Sequence, residues 1–209
     1  MGVHVGCVIT FEDDLIKLNN RFYAGKALDN KMGGFCIAEV ARLLKRNRKK
    51  LPYTLYVVNA VQEEIGLRGA EMIASRLQPD VAIITDVTHD TSSPLMKAVE
   101  QGDQKAGLGP VLTYAPAVHN KLIKLIEKAA TKNKIPFQRS ASSRSTGTDT
   151  DAFAYSNKGV ASALISLPLK YMHTTVEMAH QDDITNVSLL IYQTLLSIKK
   201  NHDFKYFKY

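Results

Sequence analysis

The chain reads as an α/β fold, a three-layer sandwich in which helices flank a mostly parallel central sheet. Three observations predict it. Short apolar runs rich in β-branched residues alternate along the sequence with longer segments of helical period, the pattern of strand–helix–strand units. The runs at 81–85 and 159–167 are predominantly apolar with only Thr and Ser among them, as strands buried on both faces are. Hydrophobic residues make up 45% and charged residues 22% of the 209 positions, enough apolar material for one sizeable core.

The elements follow in order. Residues 3–11 alternate and are rich in β-branched side chains, which predicts a strand. A short strand at 24–28 then leads to a helix over 29–46, with Met32, Phe35, Ile37, Val40, Leu43 and Leu44 near helical spacing. Residues 53–60, bounded by Pro52, read as a buried strand. A helix fits 67–77, a strand 81–85, a short strand 111–114 and a helix 117–132, whose stripe is Leu122, Ile123, Leu125, Ile126 and Ala129. Residues 135–140 predict a strand, 149–156 a short helix, 159–167 a further buried strand and 184–199 a closing apolar helix. No internal repeat is present, and SASSRS at 140–145 reads as a loop.

Composition excludes several classes. The longest apolar runs fall far short of the roughly 18–20 residues of a membrane helix, so no membrane association is expected. Two cysteines are too few for a disulfide scaffold or a Cys-rich zinc site. Cys7 and Cys36 both lie in apolar surroundings and read as buried thiols, which makes the cytoplasm the expected compartment. The opening MGVHVGCVITF shows no secretory pattern. With 27 Lys and Arg against 20 Asp and Glu the formal charge is +7, and nucleic acid is the first partner to consider. Yet KRNRKK at 45–50 follows an amphipathic stretch and reads as a solvated helix C-terminus, where cations complement the dipole. The closing KKNHDFKYFKY reads as a frayed tail or docking strand, so nucleic acid is not the expected partner.

Candidate chemistry gathers where predicted strands end: Asp29 after 24–28, Glu63 and Glu64 after 53–60, Asp86 after 81–85, and His173 beyond 159–167. In an open α/β sheet such ends face one crevice. Carboxylates and an imidazole meeting there would repel unless a cation sits among them, and this donor set suits zinc, cobalt or manganese. Neighbouring side chains on an extended backbone point apart, so Glu63 and Glu64 have two roles, one binding metal and the other facing substrate as general base. Adjacent glutamates are also a poor glycosidase pair, whose carboxyls flank a sugar bond about 5 to 9.5 Å apart. Gly66 lets the chain turn into the next helix.

Six segments in order, GKALDNKMGG, VVNAVQEEIGLRGAEMIA, DVAIITDVTHD, KAGLGP, GTDTDAFAYSNKG and LPLKYMHTTVE, resemble the tetrahedral aminopeptidase family, the deblocking or glutamyl aminopeptidases, some of which carry the name endoglucanase. The likeness runs from about Val3 to Thr194. It implies a metal-dependent aminopeptidase with two divalent ions, zinc or cobalt, acting on peptide substrates and assembled as a homo-oligomer, usually a dodecamer. By the same resemblance Asp29 would bridge the ions, Glu63 would be the general base, Glu64 and His173 would hold the first metal, and Asp86 the second. Asp149 and Lys170 would line the substrate pocket. Residues 1–11 would be the end of an inserted small β domain, and 12–209 the metallopeptidase catalytic domain without its N-terminal part.

Departures from the family pattern carry expectations too. The family's His-x-Asp motif, source of another ligand for the second metal, lies in its N-terminal part; the residues before GKALDNKMGG hold none, and His4 in GVHVG is not promoted in its place. The second metal is then expected to bind weakly or not at all, the chain alone to be inactive, and Met1 to be internal. A non-catalytic truncated relative acting as an assembly or binding partner is the alternative. Lys170 stands where the family usually has Arg, keeping charge but losing the bidentate fork.

Simpler readings stand beside these. Asp29 could cap a helix, and Glu63 and Glu64 could open one. Asp149 could cap its own helix. Glu177 either orients His173 or forms a surface pair. His89, His119, His180 and His202 read as surface or packing residues.

Overall fold

The structure is a computed structural model that describes residues 4–8, 14–94 and 96–206. Its strands are β1 (Ile16–Leu18), β2 (Phe22–Gly25), β3 (Val81–His89), β4 (Val111–Tyr114), β5 (Gln138–Ala141), β6 (Ala161–Lys170) and β7 (Glu177–His180). Its helices are α1 (Leu28–Arg46), α2 (Arg68–Leu77), α3 (Ala98–Gln101), α4 (Asn120–Lys132), α5 (Asp149–Ala154) and α6 (Gln181–Ser197). The class is α/β, as the alternation of periods predicts.

β6 shows why the layers form. It is buried from Ala161 to Leu169 without a break, which requires cover on both faces. Ala163, Ile165, Leu167 and Leu169 share one core with Leu122, Ile123 and Ile126 of α4 and Val187, Leu190 and Ile191 of α6. On the alternate face Ser162, Leu164 and Ser166 are also buried, α5 packs on β3 and β6, and α2 packs on α5. Burial of each large aliphatic side chain contributes about 1.5–3 kcal/mol, so the α4 stripe alone fixes that helix to the sheet.

The sheet runs β1-β2-β7-β6-β4-β5, with β3 pairing β6 off that path. β3 lies parallel to β6 from Val81↔Ala161 to His89↔Leu169, and β4 lies parallel to β5. The remaining pairings are antiparallel, so the expected parallel pairing holds along β3–β6 and β4–β5 and the sheet as a whole is mixed. Short turns join β1 to β2 and β6 to β7, too short for the crossover a parallel neighbour needs.

Some expected elements differ. Residues 53–60 are half-buried or exposed throughout and pair with no strand among the described residues, although Tyr53 and Leu55 pack against the core. An apolar run supplies a strand's inner face; the ladder needs a partner. Of the strand expected at 3–11, residues 4–8 form a turn closed by the Cys7 N–H to the His4 carbonyl (3.1 Å), and the others lie outside the described residues. Cys7 is exposed, contrary to its apolar neighbours in sequence. Cys36 is buried as expected, and burial pushes its thiol up to about 11. No helix among the described residues is long and apolar enough to cross a membrane.

Candidate metal centre

Three turns and one strand bring the acidic and imidazole groups together. At the start of α1, Asp29 is extended (φ −78°, ψ 107°), and the regular helix begins after Asn30. Asn30 does the capping: its Oδ1 accepts the Gly33 N–H at 2.8 Å, while its Nδ2 donates to the Thr85 carbonyl at 3.0 Å. The Asp29 carboxylate therefore has no capping role. Its Oδ2 lies 3.1 Å from Nε2 of His173.

Glu63 and Glu64 sit in the turn before α2, closed by the Gly66 and Leu67 N–H groups on the Glu63 carbonyl (3.0 Å each). Gly66 takes φ +114°, a region open to glycine and costly for other residues. Glu64 Oε2 reaches to 3.6 Å from His173 Nε2. Asp29, Glu64 and His173 each offer a ligand atom within 4.8 Å of the others. The Asp29 side chain is 9% exposed, Glu64 58% and His173 64%, so the group is deep on one side and open on the other.

Asp86 lies within β3 rather than after it, because that strand continues to His89. It is buried, its Oδ1 accepts the Val87 N–H at 2.8 Å, and it stands outside the group of three as a charge neighbour of Glu63, Asp29 and Asp149. Asp149 is the first residue of α5, but Thr148 caps that helix by accepting the Thr150 N–H. Asp149 Oδ1 is buried with no hydrogen-bond partner.

Electrostatics follow from this crowding. Burial first, then Glu63, Asp29 and Asp149, pushes Asp86 up to about 8. Burial, then Glu64, Asp149 and Asp29, takes Glu63 to about 7 against the lowering effect of His173. Burial, Glu64 and Glu177 take Asp29 to about 6, again against His173. Burial also raises Asp149. Such repulsion is what a divalent cation relieves. Two carboxylate oxygens and an imidazole nitrogen are donors suited to zinc, cobalt or manganese, so these residues fit a metal ion.

Around the centre, Lys170 Nζ lies 3.3 Å from Oδ2 of the buried Asp90 and donates to Ser92 Oγ at 2.8 Å. Sequence reasoning passed over Asp90 and also His89, whose pKa is lowered by burial and by His173. The expected strand stopped at 85, so the place of His89 at the end of β3 carried no signal in the sequence. Glu177 is buried, which excludes a surface pair, and it accepts backbone N–H groups from both Asp29 (3.1 Å) and His173 (2.8 Å).

The family model for M42 glutamyl aminopeptidase matches residues 1–190. The chain belongs to the M42 family. Lysyl aminopeptidase of Pyrococcus furiosus is 33% identical over 209 residues, spanning 98% of this chain and 57% of the relative. An aminopeptidase of the archaeon Desulfurococcus kamchatkensis has the same fold with a TM-score of 0.80 at 29% identity, over 88% of this chain and 52% of that one. A Thermotoga maritima protein named endoglucanase aligns with a TM-score of 0.65 at 26% identity, over 88% of this chain and 52% of that one. The M42 chain thus spans little more than half the length of these relatives.

Proposed function

We propose that this M42 chain carries the hydrolytic centre of a metal-dependent aminopeptidase that cleaves N-terminal residues from peptides. The observation behind this reading is the convergence of Asp29, Glu64 and His173, from three separate turns, on one point beside Glu63. Glu64 and His173 would hold a first divalent ion together with Asp29, and Asp29 with Asp86 would hold a second. Zinc or cobalt ions bound there would lower the pKa of a shared water and polarise the scissile carbonyl. Among the described residues no group of three donors includes Asp86, so the second position is the weaker one.

Glu63 is the general base. Its carboxyl, raised to about 7 by burial and neighbouring carboxylates, takes the proton of the attacking water and returns it to the leaving amine. Asp149, with its unpartnered oxygen, and Lys170, held by Asp90, line the substrate pocket. A homo-oligomer is part of the same proposal, supported by a related structure described as a dodecamer and by the Pyrococcus horikoshii TET1 peptidase, which assembles into a tetrahedron or a large octahedral shell. Cytoplasmic action is supported by two free cysteines.

The test is release of p-nitroaniline from aminoacyl p-nitroanilides with and without chelator. Chelation should abolish activity, and Glu63→Gln should lower it about 10²–10⁴-fold. Activity indifferent to both would end this reading.

A further inference from the structure

Glu177, the first residue of β7, is 2% exposed, and the mechanism above gives it no part. The register of β2 and β7 sets it opposite Gly25, the last residue of β2, just before the turn that carries Asp29. Its two carboxylate oxygens go to two different segments. Oε2 accepts the Asp29 N–H at 3.1 Å, and Oε1 accepts the His173 N–H at 2.8 Å. The side chains of those same two residues meet through Oδ2 and Nε2 at 3.1 Å.

A second observation points the same way. His173 is held at φ 62° and Tyr171 at φ 59°, a left-handed conformation that residues bearing a side chain adopt only where their surroundings enforce it. The bond from the His173 N–H to Glu177 is one such restraint.

We infer that Glu177 is the positioning residue that sets the separation of Asp29 and His173, and so fixes the affinity of the metal centre without touching the ion. This rests on the metal-centre reading above. The carboxylate is needed because both of its oxygens accept. A glutamine would offer one acceptor and turn an NH₂ toward an N–H donor. An aspartate, one methylene shorter, would keep the charge but lose the reach to one of the two amides.

Two measurements on the purified, metal-stripped chain test it. Residue-resolved amide exchange should find the Asp29 and His173 N–H groups protected, and in Glu177→Gln their exchange should rise at least about tenfold while amides of β3 and β6 keep their protection. Cobalt titration followed by visible absorption should show the dissociation constant rising about 10-fold or more in Glu177→Gln, the range seen when a residue supporting a metal ligand is lost. A merely structural role would spread the exchange change over the sheet and leave cobalt affinity unaltered. Unprotected Asp29 and His173 amides in the wild type, or cobalt affinity within about twofold in a folded variant, would overturn the inference and leave the metal centre standing. Absence of cobalt uptake by the wild type would overturn the metal centre and the inference with it. Should Glu177→Gln fail to fold, Glu177→Asp is read the same way, and the wild-type exchange result still decides.

Discussion

Asp86 ionises near 3.8 in an unfolded chain, but in the fold burial and three neighbouring carboxylates hold its proton up to about 8. Between those values the folded metal-free chain keeps a proton that the unfolded chain has lost. Its stability is therefore full below about pH 4 and falls as pH rises toward 8. Asp29 and Glu63, raised to about 6 and about 7, act in the same direction over the lower part of that window. Thermal melts of metal-free Asp86→Asn should lose less stability between pH 5 and pH 8 than the wild type; an equal loss would contradict the assignment. The sequence set these candidates at strand ends, which holds for Asp29 and His173 beyond β2 and β6, whereas Glu63 and Glu64 follow a segment that pairs with no described strand and Asp86 lies within β3. What was not legible is what backbone geometry decides: that Asn30 rather than Asp29 caps α1, and that Glu177 binds two main-chain amides.

At the scale of elements, the turn that presents the two glutamates depends on Gly69. The Gly69 N–H donates to the Val61 carbonyl at 3.0 Å, and a Cβ there would collide with the Val61 backbone. Gly69→Ala should cost about 1–3 kcal/mol in chemical denaturation, as overpacking does, and should weaken metal binding because Glu63 and Glu64 move with the turn. The KAGLGP segment has an element-scale explanation too. Fully buried Asp183 accepts the Gly107 and Gly109 N–H groups at 2.6 and 2.8 Å. Asp183→Ala would strand those donors and cost about 1–3 kcal/mol, read from the same denaturation curves. Long periodic elements such as α4 and α6 and the apolar β6 were readable because burial on a fixed stripe or on both faces leaves a pattern. β1 and β7 were not, and β2 was expected later along the chain, at 24–28, since 3 or 4 residues carry little period. Residues 53–60 misled for a related reason, because their pattern records an inner face and says nothing of a partner strand.

For the molecule as a whole, α1, β3, the β6–β7 turn and the turn before α2 meet at one place, so metal binding and folding are linked. An ion that binds the folded chain alone stabilises it by about 2.7 kcal/mol at 100 times its dissociation constant. The +7 charge bears on solubility and nonspecific association, whereas the centre itself is acidic, so net charge does not describe the site. The most direct test is cobalt titration of the metal-stripped chain beside Asp29→Asn and His173→Ala. The account predicts at least one ion bound per chain, a raised melting temperature on binding, and loss of both in the two variants. A wild-type chain that takes up no cobalt, or variants that bind it as well as the wild type, would contradict it.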